Sequence, residues 1–369
     1  MRASPRLLVS GYYGFGNTGD EAILAGLVEG FRRLAPGATL TVLSGSPAAT
    51  EAEHGVRAAP RGPLSVWREL RRCDLLISGG GGLLQDVTSW RSPLYYLGVM
   101  RMAAAARVPV VCLGYGLGPL RRAPLRWAAR RCLSRARAVA VRDQLSADFL
   151  RDLKAAREPE LTADLAFLLS MPRPDEISLA WQRALLERDD RATLGIAVRT
   201  SPWAGEADLA DALGRAIRHS CDDLGLRPVL VPMQRPRDVR FAEKVASAVA
   251  SPVDIVRSPL TARETLALVG GFDLLVAMRL HACIFAALSG VPLVAVSYDP
   301  KIDGLMRELG MSVAASADRL YPDNLRQAIE SRWHERETVL ARVAERVRGL
   351  RQRALRNVEI ALEAAGARP

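Results

Sequence analysis

The chain repeats one pattern. A short apolar run ends in glycines or polar residues, and a segment with helical periodicity follows. In the first half the runs are Leu7–Ser10, Thr39–Leu43, Asp74–Ser78, Val110–Tyr115 and Ala138–Val141. Bounded apolar runs of this kind predict buried strands joined by helices. Each time, the polar and glycine-rich residues sit at the carboxyl end, where open parallel sheets bind their ligands. The pattern therefore predicts an α/β, doubly wound parallel sheet.

The second half takes up the same rhythm at Thr193–Val198, Pro228–Val231, Val253–Val256, Asp273–Ala277 and Leu293–Ser297. Between the halves, the stretch from Arg157 to Arg191 holds Glu158-Pro159 and Met171-Pro172-Arg173-Pro174-Asp175, a change of character that marks a junction. A length of 369 residues is ample for two cores. The expected organisation is one domain over 1–170, a second over 171–322 and a helical segment over 323–369. In that last segment Leu325, Ile329, Trp333, Val343, Val347 and Leu350, then Val358 and Leu362, recur at helical spacing, with arginines on the other face. Such a segment either packs on the domains or turns its basic face to an anionic membrane.

The net charge of +11 permits nucleic acid, anionic lipid or phosphorylated substrates as partners. Aromatic residues make up only 5% and do not interleave with the basic ones, and no nucleic-acid module signature is present, so no nucleic-acid partner is expected. No apolar run is long enough to span a bilayer. The start, Met1-Arg2-Ala3-Ser4-Pro5, leads straight into a strand without a signal-peptide pattern. The cysteines Cys73, Cys112, Cys132, Cys221 and Cys283 show no CxxC or metal spacing, and four lie in apolar segments. They read as buried thiols of a reducing, cytoplasmic setting.

The first glycine-rich turn is Gly11-Tyr12-Tyr13-Gly14-Phe15-Gly16-Asn17-Thr18-Gly19-Asp20-Glu21. It suits close backbone approach to an anionic or sugar ligand. Its spacing is not the dinucleotide GxGxxG, and the next strand ends in Ser44-Gly45-Ser46 rather than an acidic residue, so a nicotinamide cofactor is not expected. Thr18 and Glu21 have capping-box spacing. Asn17, Asp20 and Glu21 either cap the helix or reach a ligand. Four consecutive glycines, Gly79 to Gly82, either line a cleft or allow two domains to pack tightly. Behind them Gln85, Asp86, Thr88, Ser89 and Arg91 could hydrogen-bond sugar hydroxyls, and Arg142-Asp143 ends the last strand of this half.

Met278-Arg279-Leu280-His281-Ala282 follows the run Asp273–Ala277. On extended backbone Arg279 and His281 would share a face, with a helix amino terminus behind them. An ordinary turn with an ion-paired arginine has the same spacing. Arg199 follows the first strand of this half, and Gln234 and Arg235 follow the second. Lys301 follows the last, after Tyr298-Asp299-Pro300, although a lysine is most often a surface charge. With Arg142 these cations predict a site for a small anion that carries carboxylate and phosphate, both of which arginine grips in bidentate fashion. No DxD pair or His/Asp cluster calls for a metal, so arginines would stabilise a leaving phosphate. Of the histidines, His281 alone has such a setting; His54, His219 and His334 read as surface residues. Its arginine neighbours would lower its pKa and a bound anion would raise it, making it a general acid only when the anion is present. A hydrogen-bonded structural histidine is the alternative.

Six motifs in order resemble the polysaccharide pyruvyl transferase family, and within it the CsaB-like cell-wall ketalases. They are GYYGFGNTGDE at Gly11–Glu21, SGGGGLLQD at Ser78–Asp86, GYGLGP at Gly114–Pro119, VRD at Val141–Asp143, RLHA at Arg279–Ala282 and SYDPK at Ser297–Lys301. The resemblance implies a fold similar to GT-B glycosyltransferases, with two Rossmann-like domains facing across a cleft. It implies phosphoenolpyruvate as co-substrate, no cofactor, and a sugar acceptor, commonly the N-acetylmannosamine of a lipid-linked cell-wall precursor. The product would be a cyclic pyruvate ketal, with phosphate released. Arg279 and His281 are the expected catalytic pair, with Arg199, Arg279, Lys301 and Arg142 on the donor and Asn17, Asp20, Gln85 and Arg91 on the acceptor. A membrane-embedded acceptor would also give the basic charge a use, at the inner face of the cytoplasmic membrane. Two other classes remain open at this level: a GT-B glycosyltransferase using a nucleotide sugar, and a non-catalytic sensor or scaffold.

Overall fold

Each apolar run named above forms a strand in the computed structural model, which describes residues 4–87, 89–187 and 189–366. Thr88 and the first three residues, Met1, Arg2 and Ala3, lie outside the described residues. The chain divides into two α/β units. Unit 1 runs to Leu169 and takes up the chain again from Gly349; unit 2 is Ser170–Arg348.

The strands of unit 1 are β1 (Arg6–Tyr13), β2 (Thr39–Ser44), β3 (Arg57–Pro60), β4 (Leu75–Leu84), β5 (Val110–Leu117), β6 (Ala138–Val141) and β7 (Glu160–Leu161). The helices between them are α1 (Thr18–Leu34), α2 (Pro47–His54), α3 (Pro63–Leu70), α4 (Arg91–Ala105), α5 (Ala123–Leu133) and α6 (Gln144–Asp152). All pairings are parallel, in the order β3-β2-β1-β4-β5-β6-β7. The sequence places β1 between β2 and β4, so the winding reverses there.

The four glycines are not a turn after a strand that stops at Ser78. They continue β4, where Gly81 pairs with Tyr115 and Leu84 with Leu117 of β5. Close packing within unit 1 accounts for Gly80, whereas a β-carbon on Gly82 would meet nothing within 4 Å. A β-carbon on Gly80, whose φ is 27°, would stand 2.2 Å from Ile23 Cγ2 of α1.

Unit 2 holds β8 (Thr193–Ala197), β9 (Arg227–Leu230), β10 (Asp254–Ile255), β11 (Leu274–Ala277), β12 (Leu293–Ser297) and β13 (Ala315–Ser316). Its helices are α7 (Pro174–Arg183), α8 (Glu206–Leu224), α9 (Arg237–Val249), α10 (Ala262–Val269), α11 (Leu280–Ser289), α12 (Pro300–Glu308) and α13 (Pro322–His334); α14 (Arg336–Ala365) begins here. The sheet order is β10-β9-β8-β11-β12-β13, again parallel. Helix α10 opens with the capping box expected from Thr261 and Glu264.

The expected C-terminal helical segment is built of α13 and α14, and α14 belongs to both units: its residues up to Arg348 to unit 2, those from Gly349 to unit 1. Its apolar stripe is buried at Val343, Val347, Leu350, Val358 and Leu362. In unit 1 the side chain of Asn357, fully buried, accepts from Gly114 N at 2.8 Å and Thr162 Oγ1 at 3.0 Å and donates to Ala163 O at 3.2 Å. All five cysteines are unpaired thiols; Cys112, Cys132 and Cys283 are buried, Cys73 and Cys221 half-buried. Among the described residues no helix is long and apolar enough to cross a membrane.

Candidate functional site

In unit 2 the carboxyl ends of β9, β8, β11 and β12 lie side by side, and each delivers charged or polar residues to the same edge. Arg199, just past β8, lays its guanidinium 3.9 Å from the ring centroid of Tyr298 and donates to Tyr298 Oη at 2.6 Å. Tyr298 follows β12. Arg237, the first residue of α9, donates to Thr200 Oγ1 at 2.7 and 3.1 Å. Burial lowers the pKa of Arg199, and the like charges of Arg279 and Arg237 push in the same direction. Three guanidinium groups therefore share one electrostatic neighbourhood, a field that a bound anion would relieve.

Arg279 caps α11 with extended backbone (φ −102°, ψ 128°), and the helix begins at Leu280. His281 thus stands in the first helical turn, not on the extended backbone expected of it. Arg279 donates to the buried carboxylate of Asp238 and, at 3.3 Å, to Gln234 Oε1. Its Nε is buried with no hydrogen-bond partner among the described residues. Asp238 accepts from Met233 N at 3.2 Å and Gln234 N at 3.0 Å with its other oxygen, so one carboxylate holds both the turn after β9 and the guanidinium. Lys301, in the first turn of α12, pairs with Asp299 at 3.0 Å and lies 5.6 Å from the Tyr298 ring. Arg235 donates to the carbonyls of Val256, Arg257 and Ser258, a structural use.

Arg142 is not part of this edge. It is buried in unit 1 between Asp164 at 2.8 Å and Asp143 at 3.3 Å. Burial works against its charge, yet the two carboxylates outweigh that and hold its pKa above the ordinary value. Its guanidinium is committed to those carboxylates within unit 1, a structural use that the sequence did not anticipate.

In unit 1 the expected acceptor residues follow two neighbouring strands, Asn17 and Asp20 after β1 and Gln85 and Arg91 after β4. Asn17 is the cap of α1, accepting from Gly19 N at 3.2 Å and donating to Asp20 Oδ2 at 2.5 Å. The expected Thr18/Glu21 box does not form, because the helix starts one residue earlier and Glu21 turns back to accept from Gly14 N at 2.8 Å. The other oxygen of Glu21 meets His54 Nε2 at 3.3 Å. His54 is therefore a buried residue, not the surface one expected. With Glu53, these two bring ligand-type atoms within 4.8 Å, a grouping that no spacing in the sequence announces. Gln85 accepts from Val87 N at 2.9 Å, and Arg91 opens α4 with its guanidinium 5.6 Å from the Trp90 ring. Asp86 accepts from Arg121 N and Arg122 N at 2.9 Å.

The expected positions missed Arg237 and Asp238. Both belong to the first turn of α9, and only the neighbouring strand ends bring that turn to Arg199 and Arg279.

Two parallel-sheet Rossmann-like units with interleaved helices make this an α/β protein of the GT-B-like class. Solved structures agree at the level of fold. The Anabaena HepE protein in complex with UDP-glucose matches with a TM-score of 0.64 at 17% identity, over 98% of this chain and 98% of that one. UDP-GlcNAc 2-epimerase from Neisseria meningitidis, bound to UDP-GlcNAc, matches with a TM-score of 0.67 at 10% identity, over 97% and 100%. The family model for polysaccharide pyruvyl transferase matches residues 17–300, and the chain belongs to that family. A curated relative, the amylovoran biosynthesis protein AmsJ of Erwinia amylovora, is 24% identical over 266 residues. That match takes in 67% of this chain and 62% of the relative's length.

Proposed function

We propose that this chain transfers the pyruvyl group of phosphoenolpyruvate to a sugar, closes a cyclic ketal on two hydroxyls and releases phosphate. The observation that carries this reading is the shared electrostatic neighbourhood of Arg199, Arg237 and Arg279 at one sheet edge, with His281 in the helical turn that Arg279 caps, in a member of the pyruvyl transferase family. Arg199 and Arg279 grip the carboxylate and phosphate, and Lys301 adds charge. His281, as the imidazolium, gives its proton to the methylene carbon, so the adjacent carbon becomes electrophilic. One sugar hydroxyl adds there and loses its proton. The second hydroxyl displaces phosphate, whose departing charge the arginines stabilise. Asn17, Asp20, Gln85 and Arg91 of unit 1 serve the acceptor. The acceptor is an N-acetylmannosamine unit of a lipid-linked cell-wall precursor, as in the CsaB-like branch, and the work is done at the inner face of the cytoplasmic membrane.

Phosphate release from phosphoenolpyruvate, with and without a synthetic lipid-linked N-acetylmannosaminyl disaccharide, tests the reading. Release that depends on the acceptor, with a pyruvate-sized mass gain on the sugar, is the expected result. His281→Ala should then lower turnover by roughly 10²–10⁴-fold while phosphoenolpyruvate still binds. A folded protein that binds a uridine nucleotide and not phosphoenolpyruvate would replace this reading with nucleotide-sugar chemistry.

A further inference from the structure

The positive charge of this chain is not spread evenly. Residues 87–142 contain eleven arginines and no aspartate, glutamate or lysine, so this one stretch carries a charge equal to the +11 of the whole protein. It is the stretch that builds α4 and α5. With α3 beside them, these helices turn their inner sides to one core through Val66, Leu70, Leu97, Met100, Ala129 and Leu133. Arg142, at the end of the stretch, is buried on Asp164, but Arg91 and Arg101 of α4 and Arg130 and Arg131 of α5 are exposed, interspersed with large exposed apolar side chains. Trp90 and Leu94 are each 44% exposed and Trp127 is 63% exposed.

The two kinds of residue are neighbours. The guanidinium groups of Arg91 and Arg122 lie 5.6 and 6.0 Å from the Trp90 ring, and that of Arg131 lies 5.8 Å from the Trp127 ring. On α4, Arg91, Leu94 and Arg101 fall along one stripe; on α5, Arg130 and Arg131 stand one turn beyond Trp127. Arg126 is neutralised by Asp152 at 2.8 Å. Arg101, Arg121, Arg122, Arg130 and Arg131 form no ion pair among the described residues.

We propose that the outer face of α4 and α5 docks on an anionic phospholipid surface. Arginines meet the lipid phosphates, while the amphipathic indoles of Trp90 and Trp127, with Leu94, enter the headgroup zone. Binding to a nucleic-acid backbone would use the same cations but would leave an exposed leucine between them without a role. The C-terminal helix is the poorer surface, because its apolar stripe is already buried. The proposal does not depend on the donor chemistry, and its test measures no turnover.

The full chain is sedimented with vesicles of phosphatidylcholine alone and of phosphatidylcholine with phosphatidylglycerol. Binding to the anionic vesicles only, weakened by salt, is expected. Arg130→Ser with Arg131→Ser should lower the partition coefficient about fivefold per charge. Trp127→Ser should lower it further and shrink the blue shift of tryptophan fluorescence on binding. Arg342→Ser with Arg346→Ser, on the exposed side of α14, should leave it unchanged; circular dichroism checks that each variant is folded. Four results overturn the proposal: no vesicle binding, binding lost through the α14 variant but kept in the α5 variant, binding indifferent to Trp127→Ser, or binding to RNA and DNA oligonucleotides but not to vesicles.

Discussion

Asp238 ties three groups together at the unit 2 edge. Its side chain is fully buried, and it holds Arg279, itself only 12% exposed, together with two backbone amides. Removing one partner of a buried pair costs about 3–5 kcal/mol, because the remaining charge stays buried without a counter-charge. Asp238→Ala should therefore destabilise unit 2 by about that amount in chemical denaturation. Asp238→Asn keeps an oxygen for the amides and should lose less than half as much. Equal losses in the two variants would mean that the ion pair contributes little. The same buried setting affects the thiols. Burial pushes Cys283 up to about 12 and Cys73 up to about 11, so neither is a thiolate near neutral pH and both should resist alkylation until the protein unfolds.

Two elements are tied by groups that look unremarkable in sequence. Asp86 joins the turn after β4 to the start of α5 through the amides of Arg121 and Arg122. Burial alone would raise its pKa, but those amide bonds outweigh it and hold the carboxyl below its usual range. A depressed carboxylate stabilises the fold fully above its unfolded pKa, about 3.9, and loses that contribution as pH falls through the lower folded value. The stability gap between the native chain and Asp86→Asn should therefore be widest near neutrality and close below about pH 4, as read by urea unfolding at a series of pH values. Asn357 ties α14 to β5 and to the chain around Thr162. Thr162 Oγ1 also donates to Val141 O, so Asn357→Leu leaves Gly114 N and Ala163 O without that partner and should cost about 1–3 kcal/mol for each group left unpaired. A thermal transition that does not move would remove the clamp.

At the scale of the whole molecule, the chain leaves unit 1 at Leu169, builds unit 2, and comes back from Gly349 to complete the first core. The return is close: a β-carbon on Gly30 of α1 would lie 2.8 Å from Val358 Cγ2. Val358, Ile360 and Leu362 are buried in this segment. At about 1.5–3 kcal/mol each, these three side chains alone contribute an amount comparable with the ~5–15 kcal/mol that keeps a domain folded. Deleting residues 349–369 should therefore abolish cooperative unfolding of unit 1 in a thermal melt while the unit 2 transition survives. A single unchanged transition would show that the segment is dispensable.

What the sequence by itself determined is the class of fold and the strand ends on which the candidate cations stand. Strands buried on both faces need continuous apolar runs, and parallel winding puts ligand-binding residues at their carboxyl ends, so β1, β8 and β11 were legible, and with them Arg199, Arg279, His281 and Lys301. The short strands β3, β7 and β13 were not legible, because two to four residues at or near a sheet edge become strand only through pairing. Nor was the extension of β4 and β5 through their glycines, since the clearance at Gly80 exists only once Ile23 is packed beneath it. Tertiary structure alone decided that Arg142 is neutralised by Asp164, that His54 is buried on Glu21, and that Asp238 holds Arg279. Each of these depends on a partner at least 22 residues away in the chain, and local sequence pattern carries no record of which distant charge folding will bring alongside.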